Sequence, residues 1–239
     1  MRYGEADRIL HLYTPRVGRV SAIAKGVRRA RSRFGGRLEP FFRLQLDLHE
    51  GRGELLTVTG AQTIEAYARL RSDARAIDAA ARACDAVGRL FETGEPHPNV
   101  FNLLCRRLSL LDRGMSPGTP DAAGRAGALA FRLKLMLAAG LAPQLSACVC
   151  CGEHEHLVGF SGAAGGVVCR ACSPETSGYG TLPVVSFALD PDAYSFMTDA
   201  LGLPLADAPD AGDRALGQVE RAISETLEHH ANVRLMSAA

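Results

Sequence analysis

Hydrophobic residues change their spacing near residue 63, and this change constrains the fold more than any other feature of the chain. Before it, apolar and polar residues alternate, as in Phe42–Leu48, which is the period of a half-buried strand. After it, apolar residues recur every three or four positions, as in Ile77–Phe91, which is the period of a helix. The pattern predicts an α+β protein whose strands precede its helices.

Four short strands are predicted in the first sixty residues, with a long loop between the second and the third. Short strands joined by turns, without intervening helices, favour a small barrel or sandwich. The predicted strands are Arg8–Thr14, Arg19–Lys25, Phe42–Leu48 and Leu55–Thr59.

Five helices are predicted beyond that region, and residues 115–127, which contain Gly, Pro, Ser and Asp, are predicted to be a linker. The chain contains no apolar run long enough to cross a bilayer, and Met1–Leu10 does not resemble a secretion signal, so a cytosolic protein is expected. The helical stripes are 77–91, Pro98 to a stop at Gly114, Leu129 to a stop at Gly140, Asp192–Leu201 and Asp213–Leu235.

Four cysteines form the most specific motif: Cys148 and Cys151, then 17 residues, then Cys169 and Cys172. Two thiolates separated by two residues can bind one face of Zn²⁺ from a tight turn, and two such turns complete a tetrahedron. A closed set of four ligands predicts one structural Zn²⁺. Because segment 146–180 has few large apolar residues, metal binding, worth on the order of 10 kcal/mol, is expected to fold it.

Two alternatives stay open for the cysteines. Cys150 can replace Cys148 or Cys151 as a ligand, and the C-x-x-C pairs can instead perform redox chemistry. A third, in which His154 or His156 replaces a cysteine, does not match the spacing of the second pair, so both are expected to be exposed loop residues. The two remaining cysteines, Cys84 and Cys105, lie on apolar helical stripes and are expected to be core residues.

Positive charge is concentrated near the N-terminus, although the net charge of the chain is only +1. Residues 1–43 hold eleven basic and three acidic residues, whereas the rest hold 16 and 23. Segment 25–37 carries six cations and no acidic residue. These cations are Lys25, Arg28, Arg29, Arg31, Arg33 and Arg37.

Such a loop is expected to bind nucleic acid. Like charges repel one another, and backbone phosphates relieve that repulsion and release counterions. Arginine also pairs with phosphate in two hydrogen bonds and stacks on bases. Gly26, Gly35 and Gly36 are expected to keep the loop mobile, and Phe34 to anchor it. The alternative is a solvated run of charge.

No catalytic set is found in the sequence. It lacks a Walker A motif, H-E-x-x-H, G-x-S-x-G and the Rossmann glycine fingerprint, so a non-enzymatic protein is predicted. Asp7 and Glu39 lie near arginines and are expected to form surface ion pairs.

The order of several motifs resembles the RecO family of recombination mediators. The resemblance is carried by Gly4–Ile9, Gly18–Val20, Ala24–Arg29, Ser32–Gly35 and Leu38–Phe41, and later by Leu141–Leu145, Cys148, Cys151, Phe160–Ser161, Cys169 and Cys172. It implies an OB-fold barrel in residues 1–65 and an α-helical domain in residues 66–239, with an inserted four-cysteine zinc module at 146–180. By position, the six cations match the basic loop of the family.

The resemblance also implies a function. RecO proteins bind single- and double-stranded DNA, anneal complementary strands and help load RecA onto DNA coated by single-strand-binding protein. The implied partners are RecR and the C-terminal tail of single-strand-binding protein, in the cytoplasm and near the nucleoid.

One departure from the family concerns the start of the barrel. RecO barrels begin with a strand before the segment that matches Gly4, so the barrel is expected to lack its first strand. This raises the expectation that Met1 is not the true start.

A competing hypothesis is a zinc-ribbon adaptor that binds proteins and contacts nucleic acid only incidentally. A third is an enzyme that uses its C-x-x-C pairs in thiol chemistry.

Overall fold

The computed structural model describes residues 2–3, 5–29, 31–51, 55–91, 94–114, 124–173 and 185–238. These residues fall into two compact units. One comprises Met1–Ala80 and Phe91–Pro117, and the other comprises Ala81–Leu90 and Gly118–Ala239. The predicted domain boundary between residues 65 and 66 stays a prediction.

The first unit contains a five-stranded sheet in the order β1-β2-β3-β5-β4. Its neighbours are antiparallel except β3 and β5, which pair in parallel at Ala22–Leu56 and Ile23–Thr57. This order is that of a five-stranded, partly open OB barrel, so the predicted fold class is confirmed. The strands are β1 (Arg2–Tyr3), β2 (Asp7–Thr14), β3 (Gly18–Ala24), β4 (Arg43–His49) and β5 (Leu56–Glu65).

The first strand consists of only two residues. Arg2 and Tyr3 pair with Arg8 and Asp7. The expectation that the barrel lacks its first strand was therefore wrong, and the count of four strands was one too low. A strand of two residues is too short to show a period of two, which is why the alternation did not reveal it.

The last barrel strand is longer than its sequence indicates, because Gly60 interrupts the alternation without ending the strand. A β-carbon on Gly60 would collide with the Asp47 carboxylate on β4, so the glycine permits close contact between the two strands. Register shifts at 43/44 and 47/48 bend the same pair of strands.

The barrel is followed along the chain by helices α1 (Ala74–Leu90) and α2 (Pro98–Arg113). Six further elements come after α2, and three of them are strands that form a short sheet. The short sheet has the order β7-β6-β8. These elements are α3 (Arg125–Ala138), β6 (Leu157–Ser161), β7 (Gly166–Cys169), β8 (Phe187–Ala188), α4 (Pro191–Gly202) and α5 (Asp213–Ala231).

Helix ends follow the predicted signals in most cases. Helix α2 begins at Pro98 and ends at Arg113, directly before Gly114, as predicted. Helix α5 is the exception, because it ends at Ala231 rather than at Leu235. Asn232 adopts the left-handed conformation (φ +52°), which stops the helix, and the chain then turns back along the second unit.

Cys84 and Cys105 are only partly buried, so the expectation that both are core residues was too strong. In the described ranges, none of the helices combines the length and the apolar character needed to cross a membrane. The predicted linker at 115–127 lies mostly outside the described residues, and so does the end of segment 146–180.

Candidate metal centre and nucleic-acid interface

The first cysteine pair lies in a tight turn that its own backbone closes. The Gly152 N–H donates to the Cys148 carbonyl at 2.9 Å, and the Cys148 N–H donates to the Glu153 carbonyl at 2.7 Å. Gly152 has φ +78°, which a residue without a β-carbon adopts at little cost. The turn brings the Cys148 and Cys151 sulfurs into one cluster.

The second cysteine pair follows strand β7, whose backbone is hydrogen-bonded to the turn that carries the first pair. Cys169 ends β7, and Arg170–Cys172 form a 3₁₀ turn closed by the Ser173 N–H, which donates to the Cys169 carbonyl at 3.0 Å. The Val149 N–H, between the first two cysteines, donates to the Val167 carbonyl of β7 at 3.0 Å. Backbone hydrogen bonds therefore fix the distance between the two pairs.

The four predicted ligands converge. The Sγ atoms of Cys148, Cys151, Cys169 and Cys172 all lie within 4.8 Å of one another. The Cys151 and Cys169 sulfurs are 3.7 Å apart. A Zn–S bond of about 2.3 Å in a tetrahedron requires sulfurs roughly 3.8 Å apart, so these residues fit a four-coordinate metal ion.

The electrostatics of the cluster also favour a cation. Burial raises the pKa of the Cys148 thiol, but backbone N–H groups of Cys169, Cys150 and Cys151 outweigh it and lower the pKa to about 6. The pKa of Cys172 is raised, by burial and then by the neighbouring sulfurs of Cys151 and Cys169. Several thiolates at such short distances repel one another, and a divalent cation removes that penalty.

The alternative ligand Cys150 is exposed and lies outside the group of four. His154 and His156 are exposed as well. The His154 Nδ1 lies 2.9 Å from the Ser146 carbonyl, and the His156 carbonyl accepts the Arg170 N–H. Among the described residues, neither histidine nor Cys150 belongs to the cysteine group, although the Cys150 thiol interacts with those of Cys148 and Cys172.

The cysteine segment has more packing of its own than its sequence indicated. Phe160, Ser161, Val167 and Val168 of the β6–β7 hairpin are fully buried. A β-carbon on Gly162, in the hairpin turn, would collide with Glu225 of α5, so the hairpin contacts that helix closely. The cysteine turns are mixed, since Cys148 and Cys169 are buried whereas residues 150–156 are exposed.

In the arginine loop (residues 25–37), the described residues 25–29 and 31–37 form successive tight turns. Backbone hydrogen bonds of 3.0–3.2 Å join residues three apart along the loop, including Ser32 to Arg29 and Arg37 to Phe34. Gly26, Gly35 and Gly36 all have positive φ, between +53° and +78°. The glycines therefore serve specific turns, and the mobility expected of the loop stays a prediction.

Two apolar side chains anchor the arginine loop in the barrel. Phe34 is 1% exposed and Leu38 is 3% exposed, and both belong to the core formed with Ala22, Ala24 and Val58. The expectation that Phe34 is an anchor is confirmed. Burial of a phenylalanine contributes about 2–3 kcal/mol, so the order of the loop is coupled to the stability of the barrel.

The six predicted cations, Lys25, Arg28, Arg29, Arg31, Arg33 and Arg37, are all exposed. Among the described residues, none of them has a carboxylate partner. Three guanidinium groups are oriented by backbone carbonyls: Arg28 donates to Glu5, Arg33 to Val58 and Arg37 to Arg33, at 3.0–3.3 Å. The loop thus presents positive charge without internal neutralisation.

Two acidic residues support the loop in ways that the sequence only partly revealed. Glu39 lies 3.5 Å from Arg8, as the expected ion pair. Asp7 instead accepts the Gly26 N–H at 2.7 Å and fixes the start of the loop. A contact between residues 19 positions apart leaves no local pattern, so only the folded chain reveals it.

The sequence comparisons agree with this architecture. The family description "Recombination protein O N terminal" matches residues 1–67, and "Recombination protein O C terminal" matches residues 71–239. The chain belongs to the RecO family. The first match covers the barrel, and the second contains all four cysteines of the group.

Several relatives of similar length carry the name "DNA repair protein RecO". The protein from Rubrobacter xylanophilus is 38% identical over 242 residues, which span 100% of this chain and 90% of that protein. The protein from Anaeromyxobacter sp. is 36% identical over 236 residues, 98% of this chain and 88% of that protein. A Bifidobacterium longum relative is 38% identical over 172 residues, 71% of this chain and 69% of that protein.

Proposed function

We propose that this protein is a non-enzymatic mediator of DNA repair and homologous recombination. It binds single- and double-stranded DNA, anneals complementary strands and, with RecR, helps RecA load onto DNA coated by single-strand-binding protein. The tail of single-strand-binding protein is the second expected protein partner, and the cytoplasm, near the nucleoid, is the expected location. Membership of the RecO family supports this proposal.

The observation that carries the DNA-binding part is the exposed, unneutralised charge of the arginine loop. Six cations within 13 residues occupy an ordered surface, and among the described residues no carboxylate pairs with them. Phosphates satisfy such a surface and release counterions, so affinity should fall steeply as salt is raised. The phosphate backbone does not depend on base sequence, which suits a protein that anneals any pair of complementary strands.

Zn²⁺ is the proposed occupant of the cysteine group. Thiolate ligands in a closed tetrahedron favour zinc in a structural role over zinc in a catalytic one, which keeps an open position. When bound, the metal would hold Cys148, Cys151, Cys169 and Cys172 together and neutralise their charge. The residues themselves fix its position through the backbone bonds that join Val149 to Val167.

A strand-annealing assay tests the proposal. Complementary oligonucleotides should anneal faster with the protein, both alone and when coated with single-strand-binding protein, and raised salt should suppress the effect. A folded, zinc-loaded sample that neither binds nor anneals DNA at low ionic strength would contradict the mediator hypothesis and favour the zinc-ribbon adaptor.

Metal analysis distinguishes the thiol-enzyme hypothesis from the two hypotheses that include a structural zinc site. One equivalent of zinc that survives mild oxidation supports a structural site. Reversible disulfide formation between the cysteine pairs, without bound metal, would instead support thiol chemistry.

A further inference from the structure

A second basic surface lies at the other end of β5 from the arginine loop. The loop reaches the strand near its start, where Arg33 donates to the Val58 carbonyl. Arg43 pairs with Glu65 at the strand's end. Seven residues of strand separate these points, which corresponds to roughly 20 Å.

Two arginine–phenylalanine pairs form this second surface. The Arg71 guanidinium carbon lies 4.5 Å from the centre of the Phe42 ring, and that of Arg43 lies 5.9 Å from the centre of the Phe101 ring. Both arginines are exposed and both rings are half-buried. We call these four residues the Arg–Phe cluster.

The backbone that carries the cluster is held firmly. Leu70, beside Arg71, is fully buried, and its N–H donates to the Asp112 carboxylate of α2 at 2.9 Å. Tyr67 is 2% exposed, and its hydroxyl lies 3.5 Å from the Cys105 carbonyl of the same helix. The two guanidinium groups are therefore displayed from a fixed framework.

Backbone strain points to the same place. In the described residues of the first unit, the non-glycine residues with left-handed backbone are Phe41 (φ +67°) and Tyr67 (φ +45°). Phe41 directly precedes Phe42, and Tyr67 begins the segment that leads to Arg71. Such conformations are strained and concentrate at functional sites.

We propose that the Arg–Phe cluster is a second contact for single-stranded DNA, one that stacks on unpaired bases. The inference rests on the proposed function of the arginine loop and extends it. Planar guanidinium groups and aromatic rings both offer faces on which a base can stack, whatever its identity. Bases in a duplex already stack on one another, so the cluster favours single strands.

The geometry also sets a length. A strand that contacts both the arginine loop and the cluster spans roughly 20 Å, which is about six nucleotides at a stacked rise of 3.4 Å. Glu65 lies beside Arg43 and opposes phosphate there, which favours a base over the sugar–phosphate backbone. The loop would then hold phosphates while the cluster holds bases.

The test uses the full-length protein and three probes: oligo-dT, an abasic strand of equal length, and a duplex. Phe42→Leu and Arg71→Lys keep the net charge but remove a stacking face. Each should weaken oligo-dT binding about tenfold, since stacking on one base is worth about 1–3 kcal/mol. Binding of the abasic strand and the slope of affinity against salt should be unchanged. Arg106→Lys, on an exposed face of α2, serves as the matched control.

The outcomes are distinguishable. If the unaltered protein binds no oligonucleotide, the proposed function fails. If it binds, and reversal of the loop charges weakens binding while Phe42→Leu and Arg71→Lys leave oligo-dT affinity unchanged, only the cluster assignment fails. Equal losses on oligo-dT and on the abasic strand would overturn base stacking. Thermal denaturation checks that Phe42→Leu is folded, and Arg71→Lys, on the surface, tests the same face without altering packing.

Discussion

The arginine loop and the cysteine segment hold their ligand-binding groups in opposite ways. Both use glycines with positive φ to make tight turns, at Gly26 and at Gly152. The loop is anchored by buried Phe34, and its cations point outward without described carboxylate partners. The cysteines point inward until their sulfurs are within 4.8 Å. The loop is therefore held by packing in the barrel core, whereas the cysteine turns are held by backbone hydrogen bonds that bring four sulfurs together.

The largest expected effect is loss of the metal. Cys169→Ser should abolish zinc binding, which is worth on the order of 10 kcal/mol. Amides of residues 146–156 should lose protection from hydrogen exchange, while the barrel strands keep theirs. Because the β6–β7 hairpin is buried against α5, part of its protection should survive. Cys150→Ser, outside the group of four, should keep full zinc. Tight stoichiometric zinc in Cys169→Ser would show that the ligand set is wrong.

Charge reversal in the loop should have the next largest effect. Arg28→Glu, Arg29→Glu and Arg31→Glu together should weaken DNA binding on the order of 10³-fold at low salt and reduce the salt dependence. Zinc content should be unchanged. The control makes the same change in charge on the second unit, at Arg214, Arg221 and Arg234. Because each of these arginines pairs with a carboxylate, thermal denaturation checks that the control variant is folded. Equal losses in both triple variants would mean that net charge, rather than the loop, governs affinity.

Truncation of the anchor, Phe34, should have a smaller effect on stability and on DNA affinity, and it does not change the charge of the loop. Phe34→Ala should destabilise the barrel by about 3–5 kcal/mol in chemical denaturation. If the order of the loop matters, DNA affinity should fall under conditions where the barrel is still folded, and Phe34→Leu should restore most of it. Unchanged affinity in a folded Phe34→Ala sample would indicate that a disordered run of arginines suffices.

The smallest effect concerns Glu220, which pairs with an arginine. This pair contrasts with the cations of the arginine loop, which have no described carboxylate partner. Glu220 pairs with Arg125 at 2.5 Å and accepts the Ala238 N–H at 2.6 Å. Burial raises the pKa of Glu220, but the Ala238 N–H and the Arg125 and Ser237 side chains outweigh it, so the pKa is lowered.

A lowered pKa in the folded state gives stability that is present above the ordinary glutamate pKa of about 4.3 and is lost as the pH falls through the folded pKa. Glu220→Gln should cost about 1–3 kcal/mol at neutral pH and flatten this acid dependence in urea denaturation. If the free energy of unfolding of Glu220→Gln falls with acid as steeply as that of the unaltered protein, other carboxyl groups cause the acid sensitivity. DNA affinity at neutral pH should not change.

How much the sequence could predict depended on the range of the interactions. The α2 boundaries follow from Pro98 and Gly114, which act within one turn of helix, and they were found. The end of α5 was missed because Asn232 stops a helix only when it adopts the left-handed conformation, which its identity permits but does not require. The full length of β5 was missed because Gly60 breaks the pattern, although it fits closely against Asp47.

By itself the sequence predicted which four cysteines converge, where positive charge concentrates, and that strands precede helices. Each is encoded in residues close together in the chain, where spacing alone fixes the chemistry. Only the tertiary structure decided that β3 and β5 pair in parallel, that Asp7 fixes Gly26, and that Phe42 meets Arg71 while Arg43 meets Phe101. These contacts join positions far apart in the chain, and their geometry depends on how the whole barrel closes, which no local pattern records.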